Sequence, residues 1–324
     1  MNLWQRLFGG KGCVPERKKI DGSPKASSRS TTNTQNIIQA KSPGKEEGKE
    51  ELKTHANQPK PTAPKQSNYI EAKFPMTADQ AKKVQQNCAK ALGVPLTIDL
   101  DCGNGISLRL IFIPPGKFIM GSPYTEAGRD DDESPQHEVH ITRPFYMGVY
   151  PITSKQYKEV TGKMGGCYGE DDPAGEIAWD NINEFCVKMT ERTGRSVFLP
   201  TEAQWEYACR AGSTTRFSFG DDDDSLPLYG WFNDNITHPV GMKRPNPWGL
   251  YDMHGGIWEW CADWYGPYSN QSSKDPQGPT SGKFKVLRGG EFAVLYPEYC
   301  RSANRSWCAP NHLSDGFRVA VRLK

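Results

Sequence analysis

Few places in this sequence combine residue types and spacing suited to chemistry. From Asp252 to Glu259 the chain reads Asp-Met-His-Gly-Gly-Ile-Trp-Glu, with a carboxylate at each end of a Gly255-Gly256 pair. Glycine tolerates backbone conformations that turn carbonyls toward one point, and carboxylates are hard oxygen ligands, so the segment can serve a calcium ion. The competing reading is a tight turn with Trp258 and Trp260 packed beneath it. His137 and His140 lie three apart in an alternating stretch, where a strand points them to opposite faces and joint metal ligation is poor. Nine cysteines (Cys13, Cys88, Cys102, Cys167, Cys186, Cys209, Cys261, Cys300, Cys308) contain no CxxC pair. A structural zinc site is therefore not expected, and the odd number leaves at least one thiol free. The run Asp221–Asp224 reads as a solvated acidic loop. No Ser/His/Asp arrangement or phosphate-cradling Gly-rich loop follows from these spacings.

The elements that must position such groups are short. Ala81, Val84, Cys88 and Leu92 recur at helical spacing behind a Thr77–Gln80 capping box, with Gly93 and Pro95 closing the segment. Residues 96–113 alternate as a hairpin turning at 101–105, and 112–122 continue as strand, turn, strand. An acidic loop occupies 123–136. Strands are expected at 137–141 and 145–149, and helices at 153–160 and 180–192, the latter presenting Ile182, Phe185, Cys186 and Met189 on one face. A further helix opens on the box Thr201–Gln204. Beyond Gly212 the chain reads mostly as loop, with strands at 286–288 and 316–322.

Composition bounds the classes. Hydrophobic residues are 36% of 324, with 32 Gly and 25 Pro, a loop-rich profile. The net charge of +2 implies no field for nucleic acid or anionic lipid. Residues 1–67 are poor in aromatics and read as a disordered leader, 68–95 as a helical lead-in and 96–324 as the folded domain. No transmembrane span is expected. The N-terminus lacks a signal-peptide core, and Arg6 and Lys11 interrupt the apolar run that a lipidated Cys13 would need; Trp4, Leu7 and Phe8 could make a short amphipathic contact. A cytoplasmic location is the expectation.

Four segments then carry a resemblance. They are Phe112–Ser122 with Pro144–Gly148; Leu199-Pro200-Thr201-Glu202-Ala203-Gln204-Trp205-Glu206-Tyr207-Ala208-Cys209-Arg210; Trp248-Gly249-Leu250-Tyr251-Asp252-Met253-His254-Gly255-Gly256-Ile257-Trp258-Glu259-Trp260; and Arg288-Gly289-Gly290 with Cys300–Arg305 and Gly316-Phe317-Arg318-Val319. Their order resembles the formylglycine-generating-enzyme (sulfatase-modifying-factor) family, found in bacteria among others. The resemblance implies an α+β, C-type-lectin-like fold with little regular secondary structure. It implies calcium at Asp252, Met253, Gly255 and Ile257, to which the residue types add Glu259, and a second calcium site involving Asn233 or Asn235, whose loop is shortened here. It also places Cys209 beside Cys300, as a disulfide or a reduced pair, and leaves Cys186 without its family partner, because Val319 stands there.

Family oxidoreductases convert a substrate cysteine to formylglycine with two copper(I)-binding thiolates shortly after the Gly-Gly. Here that stretch is Glu291-Phe292-Ala293-Val294, without cysteine, so copper(I) is not expected. The expectation is a family domain without oxidase activity, a binding or accessory module for a protein or peptide ligand. Its surface would be Glu291, Phe292, Tyr296, Tyr299, Trp307 and His312. Two alternatives stand beside it. One is an oxygen-dependent oxidase with thiols relocated to Cys300 and Cys308, activated by Arg301 and Arg305. The other is a retroelement-diversified ligand-binding protein varying within 291–314.

Overall fold

Three of the four α-helices among the described residues open on the same signal. Thr77, Thr153 and Thr201 each accept a hydrogen bond from the backbone of the Gln three residues on, and that Gln side chain returns to the Thr N–H. These boxes satisfy otherwise orphaned helix donors and start α1 (Ala78–Ala91), α2 (Ser154–Thr161) and α4 (Glu202–Arg210). The remaining helix, α3 (Trp179–Thr193), has no side-chain cap and ends at Gly194, whose φ of 62° suits a residue without Cβ. Its buried side chains are Ile182, Phe185, Cys186 and Met189. The structure is a computed structural model describing residues 71–166, 169–313 and 315–323. The expected leader, 1–67, lies outside the described residues.

Strands of the described residues fall into three small sheets. The expected hairpin is β2 (Thr97–Gly103) with β3 (Ile106–Ile113). It extends through β6 (Phe145–Gly148), β12 (Ala320–Arg322) and β7 (Val197–Phe198), all antiparallel. The last strand therefore sits between β6 and β7 rather than at an edge. A second sheet runs β1 (Ala72–Lys73), β4 (Gly116–Met120), β5 (His137–Ile141), β9 (Ser273–Lys274). The third places β10 (Lys285–Arg288) between β8 (Glu259–Trp264) and β11 (Ser306–Cys308).

Sequence patterning misses β8 because four of its six residues are buried and the other two half-buried, so no in–out alternation marks it. The strand expected over 316–322 forms only at Ala320–Arg322, while Gly316 bridges Glu259 instead. Helix α1 is built into the packing: Cys88 and Ala89 join one core cluster and Ala81 the other. Gln85 Nε2 donates to the carbonyls of Phe112 (2.8 Å) and Trp248 (3.0 Å), and Trp248 Nε1 donates to Ala81 O (3.2 Å).

Long connections need other ties, and buried ion pairs supply them. Glu206 holds Arg210 (2.9 Å) and Arg288, Glu202 holds Arg305 (2.7 Å), Glu133 holds Arg301 (2.9 Å), and Glu259 holds Arg318 (2.6 Å). Each joins segments distant in sequence, except the i,i+4 pair on α4. Buried charges without a partner are costly, so each pair fixes the register of the loops that carry it.

Candidate functional site

Backbone geometry sets the 252–259 loop. Asp252, Gly255 and Gly256 have φ of 57°, 122° and 95°. A Cβ at Gly255 would meet Trp231 O at 2.3 Å, so close approach of the two loops requires glycine there. Trp258 and Trp260 are buried beneath the turn. Asp252 is 5% exposed; its Oδ2 accepts from Gly241 N (2.8 Å), and its Oδ1 is buried with no partner among the described residues. Burial pushes its carboxyl up to about 6. Among the described residues the carbonyls of Gly255 and Ile257 accept no hydrogen bond, whereas Met253 O lies 3.7 Å from Cys209 Sγ.

Glu259 is placed differently from the expectation of a ligand at the mouth of this loop. It is fully buried, and its two oxygens accept from Arg318 Nε (2.7 Å), Arg318 Nη2 (2.6 Å) and Trp205 Nε1 (2.7 Å). Its charge is already matched by Arg318. No cluster of three or more His, Cys, Asp or Glu side chains is placed to hold a metal among the described residues. A cation here would rest on Asp252 Oδ1 and backbone carbonyls, a donor set that suits calcium.

The adjoining loop is zipped to the C-terminal segment. Asn233 N donates to Val294 O and Asp234 N to Phe292 O, both at 2.7 Å, while Phe292 N donates to Gly256 O (3.2 Å). The two sequence-expected regions, 233–235 and 291–294, thus meet beside the 252–259 loop. Asn233 and Asn235 are both exposed. Sequence reasoning missed the centre of this junction. The Trp231 ring stacks on His238 at 3.6 Å, and Lys243 Nζ lies 3.5 Å from the ring on a cation–π contact. No spacing signal links three residues so placed.

The expected ligand surface divides. Glu291, Phe292 and Tyr299 are half-buried and Tyr296 is 56% exposed. Burial lifts the Glu291 carboxyl to about 7. Trp307 instead packs on Phe284 (4.3 Å) and Tyr265 (5.9 Å), beside β10, and no ring contact joins it to Phe292 or Tyr296 among the described residues. His312 follows on the 309–312 turn.

The thiols are withdrawn from solvent. All six free cysteines among the described residues are buried. Cys209 and Cys300 are both free thiols; burial pushes Cys209 up to about 12 and Cys300 higher. His254 lies between them: its Nδ1 donates to Cys300 O (2.9 Å), and Nε2 accepts from Ser218 N (3.1 Å). Desolvation holds this ring neutral, with its pKa lowered to about 4. The relocated pair expected at Cys300 and Cys308 is not a pair of thiolates, because Cys308 is disulfide-bonded while Cys300 is free. Arg301 and Arg305, expected to activate them, are committed to Glu126 and Glu133 and to Glu202.

Residues 107–323 match the sulfatase-modifying factor enzyme 1-like domain. The chain belongs to that family. It is 30% identical over 279 residues to the formylglycine-generating enzyme of Streptomyces coelicolor, covering 64% of this chain and 87% of that enzyme. It is 32% identical over 249 residues to the serine/threonine-protein kinase pkn1 of Chlamydia caviae, covering 66% of this chain but only 38% of the kinase. Among solved structures, Treponema denticola variable protein 1 superposes with a TM-score of 0.64 at 24% identity, over 71% of this chain and 100% of that one. The sulfatase-modifying-factor fold here is accordingly the C-type-lectin-like one, and oxidoreductases occur within the family. No helix is long and apolar enough to cross a membrane among the described residues.

Proposed function

We propose that this sulfatase-modifying-factor domain is a non-oxidase binding or accessory module that takes a protein or peptide ligand. The observation that carries the reading is the state of its sulfur. Val294 and Ala293 stand after the Gly-Gly, every free thiol among the described residues is buried, and burial raises the pKa of each. Copper(I) requires accessible thiolates, and a buried neutral thiol is a poor ligand.

The recognition face is then the aromatic loop Phe292, Tyr296 and Tyr299 with the adjoining Trp231–His238 stack, held by the 233–294 backbone bonds. Aromatic rings on a rigid loop scaffold provide contact area at low entropic cost. Calcium at Asp252 Oδ1, Gly255 O and Ile257 O would brace this junction, since Gly256 bonds both Trp231 and Phe292. The test is copper(I) titration of the purified chain with oxygen uptake in the presence of a cysteine-containing sulfatase peptide. No stoichiometric copper binding and no oxygen uptake are expected. Copper binding with peptide oxidation would replace this reading with the oxidoreductase one.

A further inference from the structure

We propose that the cleft between α1 and the loops 218–229 and 244–249 is a binding site for a small aromatic carboxylate. Its volume is about 630 Å³, within the size range of small-molecule sites. One wall comes from Lys82 and Gln85 on α1, which precedes the family-matched residues 107–323. The opposite wall is aromatic. Phe219 stacks on Tyr229 at 4.1 Å and 13°, and on buried Phe217 at 5.0 Å and 2°, a three-ring column of which Phe219 and Tyr229 line the cleft. Trp248, fully buried and fixed by its bond to Ala81, closes the floor.

The charge is one-sided. Lys82 and Arg244 line the cleft, both exposed, and among the described residues no acidic side chain lines it. Neither side chain has an anionic partner among the described residues, in a domain that elsewhere matches its buried arginines one by one. Gln85 supplies a third group. It is 3% exposed and both bonds of its Nε2 are committed, so Oε1 is left as an acceptor that no donor reaches among the described residues. A planar ring on the Phe219–Tyr229 wall, an anion between Lys82 and Arg244, and a ligand N–H or O–H at Gln85 Oε1 would use these groups together. Arginine's forked donors match a carboxylate in two bonds, which favours this anion.

The full chain is titrated calorimetrically with indole-3-acetate and with neutral indole-3-acetamide. Saturable binding of the acid is expected, at least tenfold tighter than the amide. Arg244→Gln and Lys82→Gln should each weaken the acid about tenfold with unchanged melting temperature, because both side chains are exposed. The same variants should leave amide binding unchanged. Absence of saturable acid binding, equal affinity for acid and amide, or full affinity in both variants would each overturn the assignment.

Discussion

Arg318→Met is expected to lower the unfolding free energy by about 3–5 kcal/mol, read from urea unfolding followed by fluorescence. The guanidinium is fully buried and makes two bonds to Glu259, at 2.7 and 2.6 Å. It also donates to the carbonyls of Gly148 (3.1 Å) and Tyr251 (3.0 Å). It therefore ties the end of β6, the approach to the 252–259 loop and the start of β8 at one point. Methionine fills a similar volume but leaves Glu259 ionised, buried and held by Trp205 alone. The double variant Glu259→Gln with Arg318→Met removes that uncompensated charge and should recover part of the loss. A single variant within about 1 kcal/mol of the parent would mean that the pair does not organise these loops.

Calcium is expected to raise the melting temperature relative to chelator, and Asp252→Asn to abolish most of that rise. A ligand at a hundred times its dissociation constant stabilises by about 2.7 kcal/mol, which sets the scale. The pH dependence follows from the carboxyl that burial lifts to about 6. A folded-state value above the unfolded one means that, without metal, this group contributes stability below the unfolded pKa and loses it as pH rises through about 6. Calcium needs the ionised form, so the cation and the proton compete. Its stabilising effect should be larger at pH 7.5 than at pH 5.5. Buried His254, lowered to about 4, acts in the opposite sense, its contribution being present above its unfolded value and lost as pH falls toward 4. The calcium-minus-chelator difference at each pH separates the two, because only the Asp252 carboxyl belongs to the proposed site. Equal melting temperatures in calcium and chelator at pH 7.5 would remove the cation from this loop.

Much of the local architecture was legible because it rests on local signals. The capping boxes at Thr77 and Thr201 are written in four residues each, and the face of α3 follows from its 3.6-residue period. The glycines at 255 and 256 announced a turn, which the structure sharpens into a close approach to Trp231. The absence of cysteine from 291–299 is likewise a property of the sequence alone.

What required tertiary structure is what depends on partners distant along the chain. A glutamate reads the same whether it faces a cation or an arginine, and only the fold turned Glu259 toward Arg318, 59 residues away. Trp307 reads as one more surface aromatic, but its pairing beside β10 sets it against Phe284. Cys300 and Cys308 are near in sequence, yet a buried thiol and a disulfide sulfur are different chemical species. The Trp231–His238–Lys243 stack and the Lys82–Arg244 cleft have no period or motif, since hydrogen bonds between distant segments hold their surroundings, from residues 233–234 to Val294 and Phe292 and from Gln85 to Trp248. The sequence by itself determined the family scaffold, its helix starts and the absence of cysteine from 291–299, because local backbone preferences and residue identity suffice for those. Only the tertiary structure decided which charges are spent in the core and which remain available at the surface, because burial and pairing are properties of the packed molecule.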